Sequence, residues 1–369
     1  MTPERRFKKY RWLLPLSGLY GLAVELRNWL FDRGLLKQQS FSLPIINVGN
    51  ITVGGTGKTP HVEYLVRLLS PLTQVAVLSR GYKRKTKGYR LATALSTASE
   101  VGDEPFQMSH KFPTVYVAVD ADRPDGVHHL ISDTPTADVG AIILDDAYQH
   151  RYIKPGLNIL LTDFNRLFIY DSLLPAGRLR ESAKGKDRAD IVIVTKCPSD
   201  IDASTISLTA KALRLQPRQS PYFTTLRYSQ PYRLFQDDGH PVSLPPLNAQ
   251  TQPATMLADR HVLLVTGIAS PKVMVRDLGN RCASLTPLTF ADHHQFTTAD
   301  AERINDTFAA LKEPRLIITT EKDATRLLLT DGLSQDVRQH LYVQPIEVAF
   351  LNGQQESFNN KIISYVREN

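Results

Sequence analysis

Cysteine is nearly absent: Cys197 and Cys282 are the only two in 369 residues, and they lie far apart. No disulfide framework can be drawn from such a pair, and a reducing compartment is implied. A membrane-spanning run is missing as well. The apolar stretch Trp12 to Val24 would rise only about 20 Å as a helix, short of the roughly 30 Å of a bilayer's hydrocarbon core. No convincing small-residue cleavage site follows it, which argues against a signal peptide. Internal repeats and low-complexity tracts are also lacking. The net charge of +7 suggests nucleic acid until it is located. Residues 1 to 40 carry eight basic side chains (Arg5, Arg6, Lys8, Lys9, Arg11, Arg27, Arg33, Lys37) against Glu4, Glu25 and Asp32, so most of the excess sits at one end. No nucleic-acid partner is expected.

What is present begins with an apolar strand, Pro44 to Asn50, that turns into Thr52-Val53-Gly54-Gly55-Thr56-Gly57-Lys58-Thr59 and then into a helical pattern near Pro60. A glycine-rich turn can close its N–H groups on a polyphosphate, and the helix that follows adds its positive end. Lys58 is placed to reach the β and γ phosphates, and the Thr59 hydroxyl to ligand Mg²⁺. The pattern G-x-x-x-x-G-K-[ST] asks for glycine where this chain has Thr52; Gly54 and Gly55 supply the backbone freedom instead. Pro60 suits a first helical turn, which has no use for its missing N–H.

Further apolar runs recur at Val75–Leu78, Val115–Val117, Ala141–Leu144, Leu157–Leu161 and Ile191–Val194. Such runs read as strands covered on both faces, hence an α/β fold: a largely parallel, P-loop NTPase-like sheet. The length favours two domains. We expect an N-terminal amphipathic membrane-surface helix in 1–40, the P-loop kinase domain in 41–215, a proline-rich linker in 216–260, a smaller α/β domain in 261–340, and a strand and helix in 341–369. The strand within Leu341–Phe350 is expected to pair with Tyr222–Tyr228. For residues 1 to 40 the rival reading is a helix packed on its own domain; Trp12, Tyr20 and Trp29 suit an interface, and anionic lipid adds on the order of 1 kcal/mol per basic side chain.

Carboxyl ends of parallel strands are where function gathers. Asp145-Asp146 follows the strand Ala141–Leu144, the place where a phosphate-loop enzyme holds Mg²⁺ and its waters. Gln149 and His150 follow on the same loop, and a surface turn explains them nearly as well. Asp103, after Gly102 at an apparent helix start, is either a structural cap or a general base, and the pattern alone favours the cap. Asp292-His293-His294 at another strand end is a second acid/base candidate; no cysteine or acidic cluster accompanies the histidines to make a metal site. Arg80, Lys83, Arg84, Lys85, Lys87 and Arg90 crowd one loop, with Arg123, Arg178 and Arg180 near other strand ends. They are either a solvated face or a grip on a phosphorylated acceptor.

Taken in order, Gly49-Asn50, G-G-T-G-K-T-P, Ser79-Arg80-Gly81-Tyr82, Gly102-Asp103-Glu104-Pro105, Asp145 to Gln149, Arg180-Glu181 and Asp292-His293 resemble the tetraacyldisaccharide 4′-kinases, the lipid A 4′-kinases of Gram-negative bacteria. The likeness runs from about residue 10 to 350. It implies transfer of the γ-phosphoryl of ATP to the 4′-hydroxyl of a tetraacylated glucosamine disaccharide 1-phosphate. It also implies two α/β domains that close around ATP and Mg²⁺ in a protein peripheral to the cytoplasmic face of the inner membrane, on an anionic surface. We expect a monomer. By the same resemblance Asp103 is the catalytic base, assisted by His293. Lys58 and Thr59 hold phosphates and metal alongside Asn50, Gly54, Gly55, Thr56 and Gly57, and Asp145 and Asp146 serve Mg²⁺. Arg123, Gln149, Arg180 and Glu181 line the reaction site. Ala147 stands where the family often has glycine. Thr325 and the stretch Thr319 to Asp323 also look familiar from the family's second domain, with no step assigned to them.

Two rivals belong to other classes. A SIMIBI-like GTPase or ATPase switch would need N/T-K-x-D for guanine, and Thr195-Lys196-Cys197 is followed by Pro198. A nucleotide-gated membrane module without chemistry would leave Asp103 and Asp292-His293 idle.

Overall fold

The computed structural model describes residues 12–236, 254–268, 271–292 and 294–369. Each apolar run becomes a strand: Ile45–Gly49 (β1), Val75–Ser79 (β2), Arg90–Leu91 (β3), Tyr116–Val119 (β4), Ala141–Asp145 (β5), Leu157–Asp163 (β6), Ile191–Thr195 (β7) and Ser220–Tyr228 (β8). Tyr232–Arg233 (β9), His261–Thr266 (β10), Ser284–Thr289 (β11), Arg315–Thr320 (β12), Leu341–Gln344 (β13) and Ile346–Phe350 (β14) complete the set among the described residues. Nine of them form one sheet in the order β14-β8-β7-β6-β1-β5-β2-β4-β3, and five form another in the order β11-β10-β12-β13-β9.

In the larger sheet β4, β2, β5, β1, β6, β7 and β8 run parallel, with β3 antiparallel to β4. Its central strand carries Ile45, Ile46 and Val48, all essentially buried. Each such side chain contributes roughly 1.5–3 kcal/mol relative to leaving it in water. Helices Lys58–Leu69 and Arg123–Ser132 and the helix Gln355–Glu368 belong to the same compact unit, which comprises the described residues up to Pro105, Pro113–Arg227 and Glu347–Asn369. The Tyr365 hydroxyl of the last helix bonds both the N–H (3.1 Å) and the carbonyl (3.2 Å) of Ile45.

The second unit comprises Phe106–Phe112 and the described part of Tyr228–Ile346. Its sheet is parallel through β11, β10, β12 and β13, with β9 antiparallel at the edge. One face packs Leu263, Val265, Ile304, Phe308, Ile317 and Leu341 into a core.

The proline-rich stretch 216–260 contains β8, with Pro221 in register with Val192 of β7, while residues 237–253 fall outside the described residues. The run Leu341–Phe350 divides at Pro345, which has no N–H to give a ladder. β13 joins the second sheet, and β14 lies beside β8 in the first.

The N-terminal helix spans Leu14–Asp32. Its basic neighbours Arg5 to Arg11 lie outside the described residues. No described helix is long and apolar enough to cross a membrane.

Candidate active site

Because β1 lies between β5 and β6, the loop that leaves its carboxyl end is flanked by the ends of both neighbours. At Gly49 an added Cβ would stand 2.7 Å from Tyr148 Cβ, so only glycine allows the two backbones this approach. Asn50 is fully buried, and its amide donates to Thr56 Oγ1 at 2.9 Å and toward the Gly54 carbonyl at 3.4 Å. The loop is therefore tied down from beneath. Gly54 (φ +110°) and Gly57 (φ +82°) hold conformations that L side chains rarely adopt. The helix begins at Lys58, two residues earlier in the chain than the proline signal alone suggests.

Four further groups hold the loop. Thr195 Oγ1 donates to the Thr56 carbonyl (2.8 Å), and Gln149 Nε2 to the Asn50 carbonyl (2.8 Å). Lys196 donates to the Gly55 carbonyl and pairs with Asp163 at 3.0 Å. His61 bonds the Gly57 carbonyl through Nδ1 (2.7 Å) and Thr224 Oγ1 through Nε2 (3.0 Å). A carbonyl only accepts, so Nδ1 carries the hydrogen and Nε2 accepts from the hydroxyl. Burial pushes the His61 pKa down to about 4 and keeps the ring neutral near pH 7.

Above the loop, charge converges on Asp146, whose backbone takes φ +51°. Lys58 Nζ lies 3.5 Å from Asp146 Oδ1, and Arg180 Nη1 lies 3.2 Å from the same oxygen. Arg180 Nη1 also donates to Gln149 Oε1 (3.2 Å), and Gln149 Nε2 to Glu181 Oε1 (2.9 Å). Glu181 is only 2% exposed and takes both oxygens to Arg188 Nη2, at 2.9 and 2.8 Å. Arg188 in turn covers the Tyr148 ring at 4.8 Å. Glu181→Ala is expected to lower unfolding free energy by about 2 kcal/mol in a urea titration, since it leaves Arg188 partly buried and unpaired.

Asp145 is buried beside this network. Desolvation, and then the charges of Glu104 and Asp146, push its pKa up to about 7, against the pull of Lys58 and Arg123. Ser79 Oγ donates weakly to Oδ2 at 3.4 Å, while Oδ1 is buried with no hydrogen-bond partner. A bare carboxylate oxygen beside a second carboxylate calls for a cation. The oxygens of Asp145, Asp146 and Thr59 are hard donors that fit Mg²⁺. Among the described residues no cluster of three or more His, Cys, Asp or Glu could hold a metal alone.

The tetraacyldisaccharide-1-P 4′-kinase family, LpxK, matches residues 9–367. The tetraacyldisaccharide 4′-kinase of Phocaeicola vulgatus is 51% identical over 360 residues, covering 97% of this chain and 96% of that one. That of Bacteroides thetaiotaomicron is 49% identical over 368 residues, covering 99% and 96%. The chain belongs to the tetraacyldisaccharide-1-P 4′-kinase family. Among solved structures, LpxK from Aquifex aeolicus in complex with ATP is 28% identical, with TM-score 0.69 over 96% of this chain and 98% of that one.

Within this LpxK-family chain, the expected site residues fall into three groups. Lys58, Thr59, Asp145, Asp146, Gln149 and Arg180 gather around the phosphate loop. Arg123 and Glu181 stand behind them: Arg123 is 2% exposed, and its guanidinium donates to the carbonyls of Asp120 (2.7 Å) and Asp145 (3.4 Å). Burial pushes the Arg123 pKa down to about 10. Asp103 opens the helix Asp103–Lys111, after Gly102 at φ +95°. Asp292 pairs with Lys322 at 3.5 Å, His294 with Asp300 at 2.8 Å, and His293 lies outside the described residues. In the Thr319–Asp323 stretch, buried Asp323 accepts from Gly267 N–H (2.9 Å) and Thr320 Oγ1 (2.7 Å), which clasps the turn after β10.

Sequence reading passed over His61 and Arg188, and gave Thr195 and Lys196, noted at the end of a strand, no part in holding the loop. Thr195 and Lys196 end a recognised strand, so their position was a usable signal. His61 and Arg188 act through folding contacts that spacing does not announce.

Proposed function

We propose that this protein transfers the γ-phosphoryl of ATP to the 4′-hydroxyl of a tetraacylated glucosamine disaccharide 1-phosphate, a step in lipid A biosynthesis. The observation that carries the reading is the approach of Lys58 and Arg180 to one carboxylate, Asp146, beside a buried carboxylate with an unbonded oxygen. In this reading Lys58 and the amides of Gly54 to Thr59 neutralise the phosphates, and Arg180 draws on the transferring group. Asp103 takes the proton from the sugar hydroxyl, and His293 assists it. Asp145, Asp146 and Thr59 hold Mg²⁺, which supplies charge neutralisation and orientation for the phosphates when bound. Asn50, Gln149, Arg123 and Glu181 keep loop and carboxylates in place. The test is ATP-dependent labelling of a lipid A disaccharide precursor in mixed micelles, against hydrolysis with water alone. Labelled lipid is expected; hydrolysis without labelling would instead favour a nucleotide switch.

The substrate's acyl chains stay in a bilayer, and the N-terminal helix suits that. Leu19 (67% exposed), Leu22 (67%), Leu26 (56%) and Trp29 (48%) are open to solvent. Together with the basic residues before Trp12, they support a peripheral enzyme on the anionic cytoplasmic face of the inner membrane. Leu19→Glu combined with Leu26→Glu is expected to abolish sedimentation with vesicles that contain anionic phospholipid, with ATP binding unchanged. Undiminished vesicle binding would remove the helix from this role.

A further inference from the structure

The helix Leu14–Asp32 turns most of its leucines outward, and apart from buried Phe31 its seat on its own domain is made by small and polar residues. Ser17 Oγ donates to the Leu173 carbonyl (3.0 Å) and accepts from Ala176 N–H (3.0 Å). Gly21 lies so close that an added Cβ would be 2.6 Å from Leu173 Cδ1. Asp32 pairs with Arg151 at 2.6 Å. These contacts seat the helix.

Two others reach the catalytic residues themselves. The Tyr20 hydroxyl donates to the Arg180 carbonyl at 2.7 Å, and Arg27 Nη2 donates to the Gln149 carbonyl at 3.1 Å. Arg180 and Gln149 are the residues whose side chains meet each other, and Arg180 grips Asp146. The Arg180 N–H meanwhile donates to the Ile51 carbonyl in the phosphate loop at 2.8 Å. The Arg180 segment is thus held on one side by the loop and on the other by the helix. Tyr20 and Arg27 each bond a main-chain carbonyl, and so fix the backbone of a residue whose side chain works by direction.

We infer that Tyr20 and Arg27 are positioning residues for phosphoryl transfer, which set the aim of Arg180 and Gln149 through their main-chain carbonyls. The inference rests on the kinase reading above, and it ties the lipid-facing helix to turnover as well as to location. A misplacement of 1 Å at a reacting group can cost on the order of 10²-fold in rate, and a released carbonyl permits shifts of that size.

The test compares Tyr20→Phe/Arg27→Gln with wild type and with Ser17→Ala, with the lipid substrate supplied in micelles so that bilayer docking does not limit the rate. The double variant is expected to lose about tenfold or more in kcat with KM for ATP unchanged. Arg27→Lys, whose donor reaches farther from the backbone than the glutamine amide, should recover part of the Arg27→Gln loss. Ser17→Ala loosens the seat at Leu173 and Ala176 while leaving the bonds to the Arg180 and Gln149 carbonyls in place, and should keep wild-type kcat. Independently of activity, the Arg180 amide should exchange its hydrogen faster in the double variant. Unchanged kcat beside active wild type, an equal loss in Ser17→Ala, or unaltered exchange at Arg180 would each overturn the inference. Wild-type labelling of the lipid in the same assay is what judges the kinase reading.

Discussion

Asp103→Ala is expected to lower kcat by on the order of 10²- to 10⁴-fold, the usual worth of a positioned general base, with ATP affinity unaltered. Asp103 sits in the first turn of Asp103–Lys111, together with Glu104. A carboxylate there also interacts with the positive end of the helix, which is worth about 0.3–1 kcal/mol. Alanine removes both contributions, so stability and turnover must be read separately. Asp103→Asn keeps a short polar side chain at the same place but cannot take a proton at neutral pH. If Asp103 is only structural, the asparagine variant will turn over like wild type at saturating substrate. If Asp103 is the base, both variants will be slow, and both will bind nucleotide normally in a calorimetric titration.

Asp145→Asn should show a trade between function and stability. Removing the bare carboxylate oxygen is expected to lower kcat by roughly 10²- to 10³-fold, as for other groups that stabilise developing charge, and to erase the gain in nucleotide affinity on adding Mg²⁺. In metal-free protein the same change should stabilise the fold. Burial raises the Asp145 pKa to about 7 from 3.8, so the folded protein binds this proton more tightly than the unfolded chain. Stability from this group is therefore fully present below about pH 4 and is lost as pH rises toward 7. Asparagine carries no such charge. In EDTA the variant is expected to exceed wild type by a few kcal/mol at pH 8, and the difference should vanish near pH 4. A variant that is less stable than wild type at pH 8 would contradict the burial reading of this carboxylate.

Much of the larger sheet was legible because its strands are buried on both faces. Runs such as Ile191–Val194 need no alternation to be recognised, and the residues that follow them fall at one edge of the sheet by topology alone. The phosphate loop was legible despite Thr52, although the positive φ values fall at Gly54 and Gly57 and not, as expected, at Gly54 and Gly55. β8 was legible in part: Tyr222–Tyr228 was expected to pair with the late strand, as β14 does, but Pro217 and Pro221 led the stretch to be assigned to a linker rather than to the sheet. The division at Pro345 was hidden, because one apolar run serves two sheets and only the partner strands decide where each half goes. The N-terminal helix posed a different difficulty. Its apolar periodicity is real, but periodicity identifies a face without saying what covers it. Only the contacts of Ser17, Tyr20, Gly21 and Arg27 show that, Phe31 apart, small and polar residues make the seat. Arg123 and Glu181 could be tied to the site by resemblance, yet their roles as buttresses depend on burial that no motif encodes.

The larger sheet takes its last strand from β14, after the whole second unit has been translated, and Tyr365 then braces the strand that leads into the phosphate loop. On the ribosome, the nucleotide-binding half therefore waits, with β8 exposed at its edge, until the residues that cover it emerge. An early stop just after Gln344 would spare every residue of the reaction site and still deny that half its finished edge.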